Sequence, residues 1–169
     1  ADRISVSALI PQVTAGNKNS VSWNDSSQFP SGTFSVSSVY NNDATYSCWT
    51  MIDNNTGTYW FPATSQWQGS WWQVEFGSPC FVTKLDFTIT QGDFRPKRIR
   101  VDVGSTVADL QSAGYFDISA SPGSGVTNEV INLTSVGYRK IIRVTVTEMW
   151  GAGLAGYPVF SYQAYGVKS

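Results

Sequence analysis

The sequence predicts an all-β domain, an antiparallel sandwich or barrel, on three observations: short runs of strict apolar–polar alternation, turn residues between those runs, and scarcely any helical periodicity. In Trp72-Gln73-Val74-Glu75-Phe76 the apolar residues fall on one face, and Gly77-Ser78-Pro79 reads as the turn that ends the strand. Phe81, Leu85, Phe87 and Ile89 then share the buried face of a second strand whose other face carries Lys84, Asp86, Thr88 and Thr90. Ile99, Val101 and Val103 alternate with Arg98, Arg100 and Asp102, and Ile142, Val144 and Val146 repeat the pattern against Arg143, Thr145 and Thr147. Tyr162, Ala164 and Gly166 mark a last strand. A helix has a fair claim only on Thr106-Val107-Ala108-Asp109-Leu110-Gln111.

A chain of 169 residues is the size of one ordinary domain and can bury a core without metals or many crosslinks. With 41% apolar and 14% charged residues it is not a disordered sequence, and 14% aromatic residues are more rings than a core needs. A net charge of −1 leaves no electrostatic footprint for DNA or RNA, so nucleic acid is not expected as a partner. No stretch approaches the roughly 20 apolar residues of a membrane span, and Ala1 reads as the start of a matured or excised chain. The sequence contains no histidine, which removes the commonest general base, the commonest metal ligand and the middle member of a Ser-His-Asp triad. No spacing of acidic residues points to a paired-carboxylate glycosidase, so the chain is not expected to be an enzyme. Cys48 and Cys80 read equally as a disulfide and as two buried thiols.

Three connections are too long and too aromatic for simple turns: Asn41 to Gln68, Gln91 to Pro96, and Met149 to Pro158. Residues 1–34, rich in Ser, Asn and Gln, read as an extension: an extra strand with its loops, or a linker packed on the sandwich formed by 35–169.

The order of these signals resembles the galactose-binding-like family, also called discoidin or coagulation-factor type C domains, which includes many carbohydrate-binding modules. The matching stretches begin with Phe34-Ser35-Val36-Ser37-Ser38-Val39-Tyr40 and Met51-Ile52-Asp53-Asn54-Asn55-Thr56-Gly57-Thr58-Tyr59-Trp60. Trp71-Trp72-Gln73-Val74-Glu75-Phe76-Gly77 follows, and then Arg139-Lys140-Ile141-Ile142-Arg143-Val144 and the closing Phe160-Ser161-Tyr162-Gln163-Ala164-Tyr165-Gly166. Together they cover about four fifths of the chain. The resemblance implies a jelly-roll β-sandwich with recognition loops clustered at one end, and it leaves the ligand open, since relatives bind sugars, phospholipids or proteins. It also implies an extracellular, cell-surface or virion location and a place within a larger multidomain protein.

Asp53, Asn55 and Thr58 match positions that hold a structural calcium in many relatives, and short oxygen-bearing side chains in a tight turn suit a hard cation. Ser161 stands where the family usually completes that shell with Glu, so an Asx-rich loop bonded to its own backbone is the alternative. Trp60, Trp72, Phe87 and Tyr165 fall at strand or signature positions and are expected in the core. Trp67, Phe94, Trp150 and Tyr157 instead lie in loops flanked by Gly, Gln or Pro, where a ring that meets a ligand is expected. An aromatic face suits the C–H-rich face of a pyranose, and Arg95, Asn42 and Asp43 are the polar groups expected to grip its hydroxyls. The expectation is a non-catalytic, lectin-like module that binds a glycan or glycoprotein through its end loops. The alternative is a protein- or phospholipid-binding adhesion module, motivated by the apolar tip Met149-Trp150-Gly151-Ala152-Gly153-Leu154; a lipid is the less favoured ligand because that tip carries no basic residue.

Overall fold

Period-two patterning becomes strand wherever it was read, and a computed structural model of the chain describes residues 3–5, 19–23, 31–51, 60–63, 66–89, 95–118, 127–133, 137–150 and 161–168. The described strands are β1 (Arg3–Ser5), β2 (Ser20–Trp23), β3 (Gly32–Val36), β4 (Trp71–Ile89), β5 (Pro96–Gly104), β6 (Gln111–Asp117), β7 (Thr127–Asn132), β8 (Tyr138–Met149) and β9 (Ser161–Lys168). Every pairing among them is antiparallel.

Strand β4 organises the sandwich because it changes partners halfway. Its first residues pair with β3 (Trp72 to Phe76) on one side and with β8 (Trp71 to Glu75) on the other; further along, Lys84 to Ile89 pair with β7 and Lys84 to Thr88 with β9. One sheet therefore runs β2-β3-β4-β8-β5-β6 and the other β7-β4-β9-β1. Gly77-Ser78-Pro79, expected to end a strand, lies inside β4, where the register against β8 shifts between Glu75 and Cys80. Glycine and proline are tolerated there because the ladder is already broken, and a strand that passes between sheets needs such an irregularity. A second shift between Val82 and Lys84 resets the alternation, so Val82 and Leu85 are both buried although they differ in parity.

The core fills the space between the sheets. Trp72, Val74 and Phe76 from the first half of β4 meet Leu85 and Ile89 from the second, together with Ile99, Val101, Ile142, Val144 and Val146. Phe34 stacks on Trp72 with ring centroids 5.9 Å apart. Trp60 is fully buried, and its indole N–H donates to the Ser38 carbonyl at 2.7 Å, which meets the polar requirement of a buried indole. Trp60 and Trp72 are thus core residues as expected, while the Phe87 and Tyr165 side chains lie outside the described residues. Cys48 and Cys80 stand in the same core as buried thiols.

The helical expectation at 106–111 shrinks to one 3-10 turn, Val107–Asp109. Asp109 Oδ1 accepts from the backbone N–H of Ser105 and of Thr106, each at 2.8 Å, a capping box that closes the turn before β6 begins at Gln111. Residues 1–34 contribute strands directly: β1 pairs with β9, β2 pairs with β3, and β3 spans the boundary drawn at 34/35.

Candidate functional site

The strand ends from which the long connections leave lie at one end of the sandwich, as a chain of backbone hydrogen bonds among the described residues records. Ser37 N–H donates to Trp71 O, Gly69 N–H to Val146 O, Trp150 N–H to Arg95 O, and Ile118 N–H to Lys97 O. The end of β3, the start of β4, the end of β8, the start of β5 and the end of β6 therefore lie together.

One part of this end is the run from Tyr40 to Tyr46. Asn41 and Asn42 hold successive left-handed backbone conformations, φ 49° and 52°, which asparagine tolerates better than most residues. This double reversal projects Asn42 and Asp43 to the surface, where both are exposed. Asp43 Oδ1 accepts from Thr45 N–H at 2.9 Å and caps the 3-10 turn Ala44–Tyr46. Beneath the turn lies an aromatic floor: Tyr46 stacks on Phe61 at 4.9 Å, and Tyr40 meets Tyr46 edge-on at 5.5 Å. That floor was not singled out from the sequence, although three rings at the flanks of one Asn-rich loop were a usable signal.

Trp150 is the second part. It is 42% exposed, yet held: its indole N–H donates to Ile118 O at 2.9 Å, and its backbone N–H to Arg95 O at 3.0 Å. The Lys97 ammonium sits 5.1 Å from the ring centroid, a cation–π contact. A ring anchored at its polar edge and open to solvent loses little rotamer freedom when a ligand packs on it.

The remaining expected contacts divide. Trp67 is half-buried and packs against the core, so it shapes the base of its loop. Arg95 is corrected by the structure: it is 0% exposed, and its guanidinium donates to Glu129 Oε1 at 3.3 Å and to Ile89 O at 3.4 Å. Burial lowers its pKa and the Glu129 carboxylate raises it, the burial effect being the larger. Arg95 thus ties the start of β5 to β7 and to the end of β4, and is not presented to a ligand at the surface. Phe94, Tyr157 and the calcium candidates Asp53, Asn55 and Thr58 lie outside the described residues. Among the described residues, no group of three His, Cys, Asp or Glu side chains is placed to hold a metal ion.

This architecture is an antiparallel β-sandwich, the fold shared by the solved carbohydrate-binding modules and F5/8 type C domain that it matches. The sequence matches no protein-family model and no curated protein. Solved structures do match. A family 32 carbohydrate-binding module from Clostridium perfringens, in complex with galactose, superposes with a TM-score of 0.63 at 14% identity, over 79% of this chain and 93% of that one. An F5/8 type C domain from Bacteroides fragilis gives 0.59 at 18% identity, over 90% of this chain and 100% of that one. A GH29 fucosidase from Ruminococcus gnavus, in complex with fucose, gives 0.62 at 14% identity; the match covers 82% of this chain and a quarter (25%) of the fucosidase.

Proposed function

We propose that this chain is a non-catalytic carbohydrate-binding module that attaches a larger secreted, surface or phage-tail protein to glycans through its end loops. The observation that carries this reading is Trp150, a solvent-open indole fixed by two hydrogen bonds at the end where the long loops gather. Asn42 and Asp43, raised on their aromatic floor, add hydrogen-bonding groups at that end. The fold supports the reading, since several of the matched structures are sugar complexes of carbohydrate-binding modules. Calcium at Asp53, Asn55 and Thr58 belongs to the same proposal as a structural ion.

A second reading, a phospholipid-binding adhesion module, gains one observation. Lys97 beside Trp150 places a cation next to an aromatic tip, the pairing an anionic surface favours. Co-sedimentation with phosphatidylserine vesicles, set beside a glycan array run with calcium and with chelator, separates the two. Sugar binding without vesicle binding supports the module; vesicle binding that is lost in Trp150→Ala, with a silent array, replaces it with the lipid reading.

A further inference from the structure

The outer face of the larger sheet, which starts at the loop end by Gly69 and Val146 and runs along β4, β8, β5 and β6, is not a plain solvated surface. It carries an open groove of about 740 Å³, within the size range of small-ligand sites. The strand registers explain what lines it. One row across the sheet reads Trp71, Thr145, Arg100, Tyr115, each opposite the next on β4, β8, β5 and β6. The row beside it reads Gln73, Arg143, Asp102, Ser112. Alternation sends all of these away from the core residues Trp72, Val74, Val101 and Val144, so the eight side chains share one face of four strands, and all but Gln73 line the groove.

The charges in the groove do not cancel. Arg100 is committed to Asp102, its Nε lying 3.1 and 2.9 Å from the two carboxylate oxygens. Arg143 makes no ion pair among the described residues. Its Nε donates to the neutral Gln73 Oε1 at 2.9 Å, and its guanidinium lies 4.0 Å from the centroid of the Trp71 ring. Burial lowers the Arg143 pKa most, the Asp102 carboxylate raises it by less, and the neighbouring Arg100 lowers it by less again. A half-buried guanidinium whose one hydrogen-bonded side-chain partner is neutral, and whose neighbouring carboxylate is already engaged by Arg100, is a ready site for an anion.

A second observation points the same way. Thr145, between Trp71 and Arg100 on the groove floor, is 6% exposed, and its Oγ1 is buried without a hydrogen-bond partner. Buried hydroxyls are ordinarily satisfied, and one rotamer step exchanges the methyl and hydroxyl of a threonine. A ligand hydroxyl or carboxylate on the floor would meet the need. Tyr115 adds an aromatic wall that is 52% exposed.

We propose that this groove is a second binding site, lined by the sheet face and not by Trp150, Asn42 or Asp43, that takes an acidic saccharide: the carboxylate of a hexuronate engages Arg143, and the sugar ring lies along Tyr115. The aromatic wall and the run of polar groups across four strands favour a hydroxylated ring over a bare anion. The proposal stands whether or not the end loops bind sugar, because it is read on different residues and different ligands.

The test is isothermal titration of the whole chain with trimers of galacturonate, mannuronate and guluronate, each against its methyl ester, which keeps the ring and hydroxyls but removes the charge. At least one acidic trimer is expected to bind, its ester to bind about tenfold more weakly or not at all, and added salt to weaken binding. Thr145→Val deletes an unmet hydroxyl, so it is expected to fold at least as stably as the parent while binding about three- to tenfold more weakly. Arg143→Gln is expected to lose about tenfold or more, and Tyr115→Ala, an exposed position that leaves the core untouched, to lose affinity as well. Sulfate, phosphate or an acidic peptide binding at Arg143 with all the acidic trimers silent would overturn the saccharide assignment. Binding of a trimer that is unchanged in folded Thr145→Val and Tyr115→Ala would overturn the groove as its location.

Discussion

The guanidinium of Arg95 and the carboxylate of Glu129 meet 3.3 Å apart, and while Arg95 is wholly buried, the Glu129 side chain keeps 16% of its surface. The pair joins the segment just before β5 to strand β7. Removing the cation alone leaves a largely buried carboxylate without its ion partner, which costs about 3–5 kcal/mol. Arg95→Met is therefore expected to lower the melting temperature by about 10 °C for a chain of this size. The double variant Arg95→Met, Glu129→Leu is expected to recover much of that loss, because an apolar pair of similar volume needs no desolvation. Chemical denaturation of the four members of the cycle measures it; equal losses in the single and double variants would contradict the pairing.

Asp109 gives the fold a pH-dependent element. Its carboxylate accepts from the Ser105 and Thr106 backbone N–H groups, and the Thr106 hydrogen bond is the largest cause holding its pKa below the ordinary value. A carboxyl whose folded pKa is depressed contributes stability above its unfolded pKa and loses that contribution as pH falls through the folded one. The stability difference between the parent and Asp109→Asn is thus expected to be constant near neutral pH and to shrink as pH falls below about 4. A difference that grows on acidification would contradict the capping role. The turn also constrains its neighbour: a Cβ at Gly104 would collide with the Asp109 carboxylate, so Gly104→Ala is expected to destabilise through the same cap.

Cys48 and Cys80 stand in the core as buried thiols. Thermal unfolding is expected to be the same with and without reductant, and a thiol reagent is expected to modify both residues only on unfolding. A melting temperature that falls on reduction would indicate a bridge and contradict this arrangement.

Much of the fold was legible because buried β-structure writes itself into sequence at period two. Ile99, Val101 and Val103, and Ile142, Val144 and Val146, all fall in the core as their alternation requires. The alternation failed where the ladder is irregular: the shift after Val82 inverts the phase, so Val82 was not read as buried. Gly77-Ser78-Pro79 carries turn chemistry, but the same residues also suit a strand that changes sheets, and local sequence does not distinguish the two. Arg95 was misread for a different reason. Its place beside Phe94 in a loop is visible locally, while Glu129, the partner that buries it, is 34 positions away. The groove shows the same limit: Arg100 and Arg143 were read on the polar faces of their strands, Trp71 and Tyr115 were not singled out, and the meeting of all four depends on the β4-β8-β5-β6 order.

Trp150 separates recognition from stability more cleanly than any other residue at the loop end. The residue is 42% exposed, so Trp150→Ala removes little core contact, whereas loss of an anchored aromatic contact costs a binding site about 2 kcal/mol, close to thirtyfold in affinity. Circular dichroism and melting of the variant are expected to stay near the parent's. A variant that unfolds would assign the residue to the framework.

The measurement that tests the central claim most directly is a broad glycan array probed with the parent chain and with Trp150→Ala, in calcium and in chelator. Binding to a defined class of sugar by the parent, sharply reduced in the folded variant, is the predicted result. Silence of the parent across the array under both conditions, or sugar binding indifferent to Trp150→Ala, would contradict a glycan-binding module working through this end of the sandwich.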